Sequence, residues 1–251
     1  MRGDARRGAE VRESNESTLR DRDRYPAYYL QNFHYQTGGW LTRESAELYD
    51  TQVETLFAGA GDAMRRIGLG LLLKALRGRD QRHVRVLDVA CGNGRLMRDM
   101  LRALPKVKVT GLDLSHAYVD EARARVSPWR QAELVVGNVE ALPFDDASFD
   151  ALTCVYLFHE LPPRVRRDAA REIARVLKPG GLFLFVDSIQ AGETPALDQM
   201  LEYFPIGFHE PYYGSYQQED LAALFGEAGL DVVETERAFL SKVMVLRKRA
   251  G

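Results

Sequence analysis

Apolar and polar positions change their rhythm near residue 84 of this 251-residue chain. Beyond that point, apolar runs of strand length alternate with amphipathic stretches of helix length. Such alternation is typical of a parallel sheet covered by helices on both faces. The predicted strands are residues 84–89, 107–113, 132–136, 149–155 and 182–187, the predicted helices are 95–104, 115–126, 165–177 and 217–228, and two final strands, 231–238 and 242–248, can pair as an antiparallel hairpin.

The chain before residue 81 follows other patterns. Residues 1–24 hold seven Arg and six acidic residues with almost nothing to bury, so we predict a disordered tail. An aromatic-rich stretch then leads into two predicted helices, residues 44–58 and 62–76, with Asp62 as the N-cap of the second. We therefore divide the chain into a tail (1–24), an N-terminal helical cap (25–80) and a core (81–251) with an insertion at residues 191–216.

The composition is that of an ordinary globular domain, with 45% hydrophobic and 28% charged residues. The net charge of −2 gives no electrostatic reason to expect nucleic acid as a partner, and no apolar run has the length of a membrane helix. Cys91 and Cys154 form neither a disulfide framework nor a zinc set, so a reducing cytoplasm is the expected compartment. The sequence leaves the oligomeric state open.

The segment VLDVACGNG, residues 86–94, is a strand that enters a glycine-rich turn. Gly92 and Gly94 would let the backbone approach a ligand, although such a turn can also be only a tight connection. Ligands of open parallel sheets bind beyond the carboxyl ends of the strands. Asp113 ends the second predicted strand, 19 residues after Gly94. A carboxylate there can accept both hydroxyls of a ribose, and its alternative is a helix cap or turn residue.

Four motifs, VLDVACGNG, GLDLS, GNVEALPFDDASFD and VLKPGG, occur in this order. Together they resemble the class I S-adenosylmethionine-dependent methyltransferases, most nearly the small-molecule type with a methyltransferase domain 11-like core. The resemblance covers residues 84–248 and implies an α/β fold with a Rossmann-like, seven-stranded sheet, mostly parallel, whose last strand is antiparallel. It also implies S-adenosylmethionine as the cofactor and methyl transfer to a small molecule as the reaction.

The resemblance also implies roles around the cofactor. Asp88 would orient its amino group, Gly92 and Gly94 would pack against its methionine and ribose portions, and Asp113 would bind the ribose. Asn138 and Val139 would flank the adenine. Asn138 stands where many relatives carry Asp, and Ala90 replaces a frequent Gly. The implied cofactor-binding set is Asp88, Ala90, Gly92, Gly94, Asp113, Leu114, Asn138, Val139, Val155 and Tyr156.

Three other functions are alternatives to methyl transfer. A nicotinamide dehydrogenase needs G-x-G-x-x-G, but Met97 stands at the position of the last glycine. The same cofactor pocket could instead cleave or cyclise S-adenosylmethionine, and no sequence feature excludes that outcome. A non-catalytic cofactor-binding module would not need the complete set of Asp88, Gly92, Gly94 and Asp113.

Candidate catalytic residues lie around the expected mouth of the site. His159 follows the fourth predicted strand and could act as a general base, or be only a structural hydrogen-bonding residue. His209 and Tyr212 lie in the insertion, where loops of such sheets build specificity. We expect residues 204–216 of the insertion and the aromatic stretch at residues 28–40 to enclose the acceptor, although the two segments could simply pack against each other.

A metal site is not expected. Glu160 and Glu210 each follow a histidine, which raises the idea of a metal centre. The spacing of His159, His209 and these two acids matches no zinc-ligand motif. We therefore expect no metal among the cofactors.

Overall fold

A seven-stranded sheet forms the centre of the protein, as predicted. The computed structural model describes residues 25–36 and 38–250, and the predicted tail at 1–24 lies outside them. The strands are β1 (Arg85–Val89), β2 (Lys108–Asp113), β3 (Ala132–Val136), β4 (Phe149–Val155), β5 (Leu177–Ser188), β6 (Leu230–Ala238) and β7 (Ser241–Lys248). Their order is β3-β2-β1-β4-β5-β7-β6. Among these strands β7 alone runs in the direction opposite to the other six.

Helices cover both faces of this sheet. The helices are α1 (Arg43–Leu56), α2 (Gly61–Ala75), α3 (Arg95–Ala103), α4 (His116–Val126), α5 (Pro163–Val176), α6 (Asp198–Gly207), α7 (Tyr213–Tyr216) and α8 (Leu221–Glu227). Apolar side chains of α5 and α8 pack on one face, and those of α2, α3 and α4 pack on the other. Ser115 caps α4, because its hydroxyl accepts a hydrogen bond from the Tyr118 amide.

The strand order reverses between β1 and β4. From β1 the chain builds outward through β2 to β3, and then returns to the opposite side of β1 with β4. Val86, Leu87 and Val89 are fully buried, which explains why β1 reads as an almost continuous apolar run. The connections after β1 and β4 diverge at this switch point, so a crevice opens beyond the carboxyl ends of the two strands.

Some predicted boundaries are wrong. Asp62 is not the N-cap of α2, because it lies inside the helix and ion-pairs with Arg95 of α3 at 2.5 Å. Residues 178–181, which separate a predicted helix from a predicted strand, are part of β5, because this strand begins at Leu177, which pairs with Phe149. The helix predicted at 217–228 begins only at Leu221, because Asp220 caps α8 through the amide of Ala223. The insertion at 191–216 is largely helical.

The N-terminal cap is joined closely to the sheet. It consists of short 3-10 helices at Ala27–Leu30, Phe33–Tyr35 and Gly39–Leu41, followed by α1 and α2. Helix α2 shares one hydrophobic cluster with β1, β5 and β7. The cap and the core are therefore packed together without a gap. We propose residue 80 only as the point along the chain where the cap ends and the core begins. None of the helices described is long and apolar enough to cross a membrane.

Candidate functional site

The connection after β1 has an unusual backbone. Ala90, Gly92 and Gly94 all have positive φ, at 53°, 54° and 78°. A Cβ on Gly92 would meet only Tyr118, at 3.9 Å, so this glycine faces open space. A Cβ on Gly94 would lie 3.0 Å from the Cβ of Ala122 in α4. The two glycines therefore serve different purposes: Gly92 opens the crevice, and Gly94 lets α3 and α4 approach each other.

Asp113 joins the ends of β1 and β2. Its Oδ2 accepts a hydrogen bond from the Gly92 amide at 2.9 Å, and its Oδ1 accepts one from the Ser115 amide at 2.9 Å. Burial raises the pKa of Asp113 to about 6, although the backbone amides oppose that rise. Each carboxylate oxygen has a second lone pair, so both can still accept hydroxyl groups.

Asp88 lies behind the crevice. Its Oδ1 accepts a hydrogen bond from the Thr153 hydroxyl at 2.5 Å, while its Oδ2 is buried without a hydrogen-bond partner among the described residues. Burial raises the pKa of Asp88 to about 7, against the opposing hydrogen bond from Thr153. A buried carboxylate oxygen without a donor is a strong candidate for contact with a cationic ligand group.

Arg65 of α2 is a buried cation that the sequence reasoning missed. Its side chain is 5% exposed, and its guanidinium lies over the Tyr156 ring, 5.6 Å from the ring centre. Its charge partly offsets the raised pKa of Asp88. The only signal in the sequence is a charged residue on the otherwise apolar face of a helix.

A first cavity lies over the switch point. Its free volume is about 90 Å³, which is below the ~300–1,000 Å³ of typical ligand sites. Tyr28, Tyr29 and Trp40 of the cap form one wall, so this wall must move before a nucleotide-sized ligand can enter. Eight of the ten predicted cofactor residues line this cavity, namely Ala90, Gly92, Leu114, Asp113, Asn138, Val139, Val155 and Tyr156, whereas Asp88 and Gly94 do not.

Glu140 links the cap to the predicted adenine side of the cavity. The Asn138 amide nitrogen donates to Glu140 Oε1 at 3.0 Å, and the Tyr28 hydroxyl donates to the same oxygen at 2.7 Å. The Asn138 oxygen accepts from the Glu140 amide at 3.0 Å, so it is already partly engaged. The sequence reasoning missed Tyr28 and Glu140 as a pair, because they are 112 positions apart.

A second, larger cavity adjoins the first. Its volume is about 600 Å³, and Trp40, Tyr49, Tyr156 and Glu160 belong to the walls of both cavities. Most of its wall is apolar, and its polar lining residues include His34, His159 and Glu160. The apolar wall includes Leu56 at the end of α1 and Phe57 directly after it, Leu201 and Phe204 of α6, and Phe208 and Leu240.

His159 is one of the polar residues that line this second cavity. Its Nδ1 is 2.6 Å from Oδ1 of Asp187, whose Oδ2 accepts a hydrogen bond from the Phe158 amide. Burial alone would lower the pKa of His159, but the charge and hydrogen bond of Asp187 raise it to about 10. A protonated imidazole donates hydrogen bonds, so the general-base role suggested by the sequence does not suit the ring in this state.

His209 and Tyr212 belong to the wall of neither cavity among the residues that the structure describes. The His209 ring lies against Tyr35 of the cap, with ring centres 5.3 Å apart. Tyr212 packs against the cluster of Phe33 and Trp40. Both residues therefore join the insertion to the cap, and their catalytic role stays a prediction.

The sheet order, the turn after β1 and the acid at the end of β2 together define a nucleotide-cofactor-binding α/β protein. A family model described as a methyltransferase domain matches residues 86–181. A ubiquinone/menaquinone biosynthesis C-methyltransferase of Bartonella tribocorum is 33% identical over 199 residues, which cover 77% of this chain and 71% of that protein. With this similarity along most of both chains, the protein belongs to the class I S-adenosylmethionine-dependent methyltransferases.

Two further similarities extend the comparison. A protein of the same name from Methylobacterium nodulans is 35% identical over 163 residues, which cover 64% of this chain and 62% of that protein. The chain thus spans less than two thirds of the length of this relative. The solved structure of the YcgJ protein of Bacillus subtilis matches with a TM-score of 0.56 at 24% identity, covering 74% of this chain and all of the other, and this likeness shows the fold.

Proposed function

We propose that the protein transfers a methyl group from S-adenosylmethionine to a small molecule with a largely apolar body. The observation that carries this proposal is the pair of adjoining cavities that share Tyr156 and Glu160 as wall residues. One cavity lies at the switch point where cofactors of such sheets bind. The other is large enough for an acceptor and meets the first where a methyl group would cross.

Residues in and behind the wall of the first cavity suit the proposed cofactor. S-adenosylmethionine supplies an electrophilic methyl group on a sulfonium sulfur. Asp113 would accept the ribose hydroxyls, and the free Oδ2 of Asp88 would face the ammonium group. Arg65, a buried cation beside Tyr156 that lines neither cavity, would meet the carboxylate of the methionine portion from behind this wall. Gly92 leaves room for the cofactor because a side chain there would point into open space.

The second cavity supports an apolar acceptor. Its walls are mostly aliphatic and aromatic, and polar groups form the smaller part of its lining. The two curated relatives are named for quinone biosynthesis, so an aromatic hydroxylated compound is the first acceptor class to examine. His159, held by Asp187, would orient the acceptor through its remaining ring nitrogen. Positioning and exclusion of water can carry most of such a displacement. We propose that this takes place in the cytoplasm, without a nucleic-acid partner.

The test is a transfer assay read by mass. The purified protein would be incubated with S-adenosylmethionine and panels of hydroxylated aromatics, fatty acids, amines and small polar acids. We expect an acceptor of the apolar panels to gain the mass of one methyl group while S-adenosylhomocysteine forms in equal amount. Cleavage or cyclisation of the cofactor without such a gain would replace this proposal by another displacement. A protein that binds the cofactor but consumes none would be a binding module.

A further inference from the structure

Three side chains from three separate segments converge beside the second cavity. His34 comes from the cap, Glu160 from the segment after β4, and Glu210 from the insertion. One nitrogen or oxygen atom of each lies within 4.8 Å of the other two. Nε2 of His34 and Oε1 of Glu210 are 3.0 Å apart. Only the tertiary fold brings these residues together, because Glu160 is 126 positions from His34 and 50 from Glu210.

Glu210 is the most unusual member of this cluster. Its side chain is completely buried, and neither carboxylate oxygen makes a hydrogen bond among the described residues. The contact with His34 has ion-pair distance but lacks hydrogen-bond geometry. Buried carboxylates are paired, hydrogen-bonded or bound to metals in most proteins. Oε1 of Glu210 faces His34 without a hydrogen bond, and Oε2 has no partner among the described residues, so this carboxylate points to a ligand within the cluster.

The charge of the cluster is also unbalanced. The side chains of Glu160 and Glu210 are only 15% and 0% accessible, so two acids are buried in one cluster. Within residues 25–36 and 38–250, these two carboxylates have ion pairs only with histidines, at His159 and His34. Two carboxylates and a neutral imidazole carry a charge of −2, which a divalent cation would neutralise.

We propose that His34, Glu160 and Glu210 bind a divalent cation of the first transition row, with Zn²⁺ as its representative. Imidazole and carboxylate are usual ligands of such ions, and three protein ligands leave a further position open. His34 and Glu160 line the second cavity, so that position faces the acceptor space. This proposal revises the expectation of no metal, which considered His159 and His209 but not His34.

The surroundings hold the ligands in place. The Trp40 indole donates to Oε2 of Glu160 at 2.9 Å, as outer partners of metal ligands commonly do. The His34 ring packs edge-on against Trp40 and Phe208, with ring centres 5.3 and 6.3 Å apart. A cation here would hold an acceptor oxygen or nitrogen beside the wall shared by the two cavities. That use rests on the proposed methyl transfer, whereas binding of the cation does not.

The test measures cation binding without cofactor or acceptor. The full chain, stripped with a chelator, would be titrated with Zn²⁺ in competition with a chromophoric chelator. We expect one tight equivalent, and a loss of affinity of at least tenfold in both His34→Gln and Glu210→Gln. The matched controls are His83→Gln and Glu234→Gln, which make the same changes at exposed or surface positions and should keep the equivalent.

The design keeps failure of folding apart from failure of binding. His34 is partly exposed, with 23% of its side chain accessible, so His34→Gln should fold even if Glu210→Gln does not. Circular dichroism would confirm the fold of each variant. Absence of a tight equivalent in the unaltered protein, or unchanged affinity in folded His34→Gln, would overturn the proposal. Either result would leave the methyl-transfer assay unaffected, and that assay could fail while one equivalent of Zn²⁺ still binds.

Discussion

Replacing Asp88 with asparagine should make the cofactor-free protein more stable and its binding of S-adenosylmethionine weaker. The carboxylate is buried at the end of β1, and one of its oxygens has no hydrogen-bond partner among the described residues. In the cofactor-free state its charge is therefore poorly solvated. Asparagine has a similar shape and can still accept the hydrogen bond from Thr153, but it carries no charge to bury.

The magnitude follows from the pKa of this carboxyl. Burial raises the pKa of Asp88 from 3.8 to about 7, despite the opposing hydrogen bond from Thr153. A folded-state pKa above the unfolded value means that the contribution of Asp88 to stability is present below pH 4 and is lost as the pH rises through 7. Above pH 7 the loss amounts to about 4 kcal/mol. For a chain of this size that corresponds to roughly 10 °C in the melting temperature.

The assay compares melting temperatures of the unaltered protein and Asp88→Asn from pH 4 to 8.5, without cofactor. The variant should gain stability relative to the unaltered protein as the pH rises, with the gap levelling off above pH 7. Calorimetry should show binding of S-adenosylmethionine weakened by about 10- to 100-fold, because a charged partner of the ammonium is lost. Asp231→Asn is the control, since Arg249 lowers the pKa of that exposed carboxyl and no such gain is expected. A gap that does not change with pH would refute the reasoning.

Two further substitutions test single contacts. Tyr28→Phe removes the hydrogen bond to Glu140 that holds the cap over the first cavity. Cofactor dissociation, followed by stopped flow, should become several-fold faster with little change in melting temperature. An unchanged rate would argue against a role of this hydrogen bond in holding the cap. Gly94→Ala places a Cβ 3.0 Å from Ala122 at a positive φ and should cost about 2–4 kcal/mol in denaturant unfolding. Gly192→Ala has the same backbone strain without a neighbour and should cost only about 1–2 kcal/mol; equal losses would show that the contact with Ala122 is unimportant.

Much of the core could be predicted from the sequence because its signals are local. The strand at residues 132–136 and the strand at 149–155 have the predicted bounds. In the second strand the apolar run reflects burial directly, whereas the first is only partly buried. Asp62 shows where such reasoning fails. An acid near a helix start fits a cap, but this one pairs with Arg95, a residue 33 positions away in a different helix. A tertiary ion pair leaves no periodic trace in the sequence.

In the candidate site, too, the residues with a local sequence signal were predictable and those joined only by the tertiary fold were not. Most predicted cofactor residues follow strand ends, and the parallel sheet necessarily brings those ends to one edge. The acceptor side depends on how the cap folds back over the sheet, which no strand pattern dictates. His34 and Glu210 were therefore not linked in advance, and His209 was expected in a wall to which it does not belong. Gly94 was assigned to the ligand, although its lack of a side chain serves helix packing.

The double use of the cap has a consequence for the catalytic cycle. Its aromatic residues lie across the first cavity, and other residues of the cap form part of the second. The cofactor must therefore enter while the cap is displaced, and the acceptor space is complete only after the cap has returned. This arrangement implies a compulsory order of addition, in which S-adenosylmethionine binds first and the acceptor second. The spent cofactor then leaves last, after the cap has reopened.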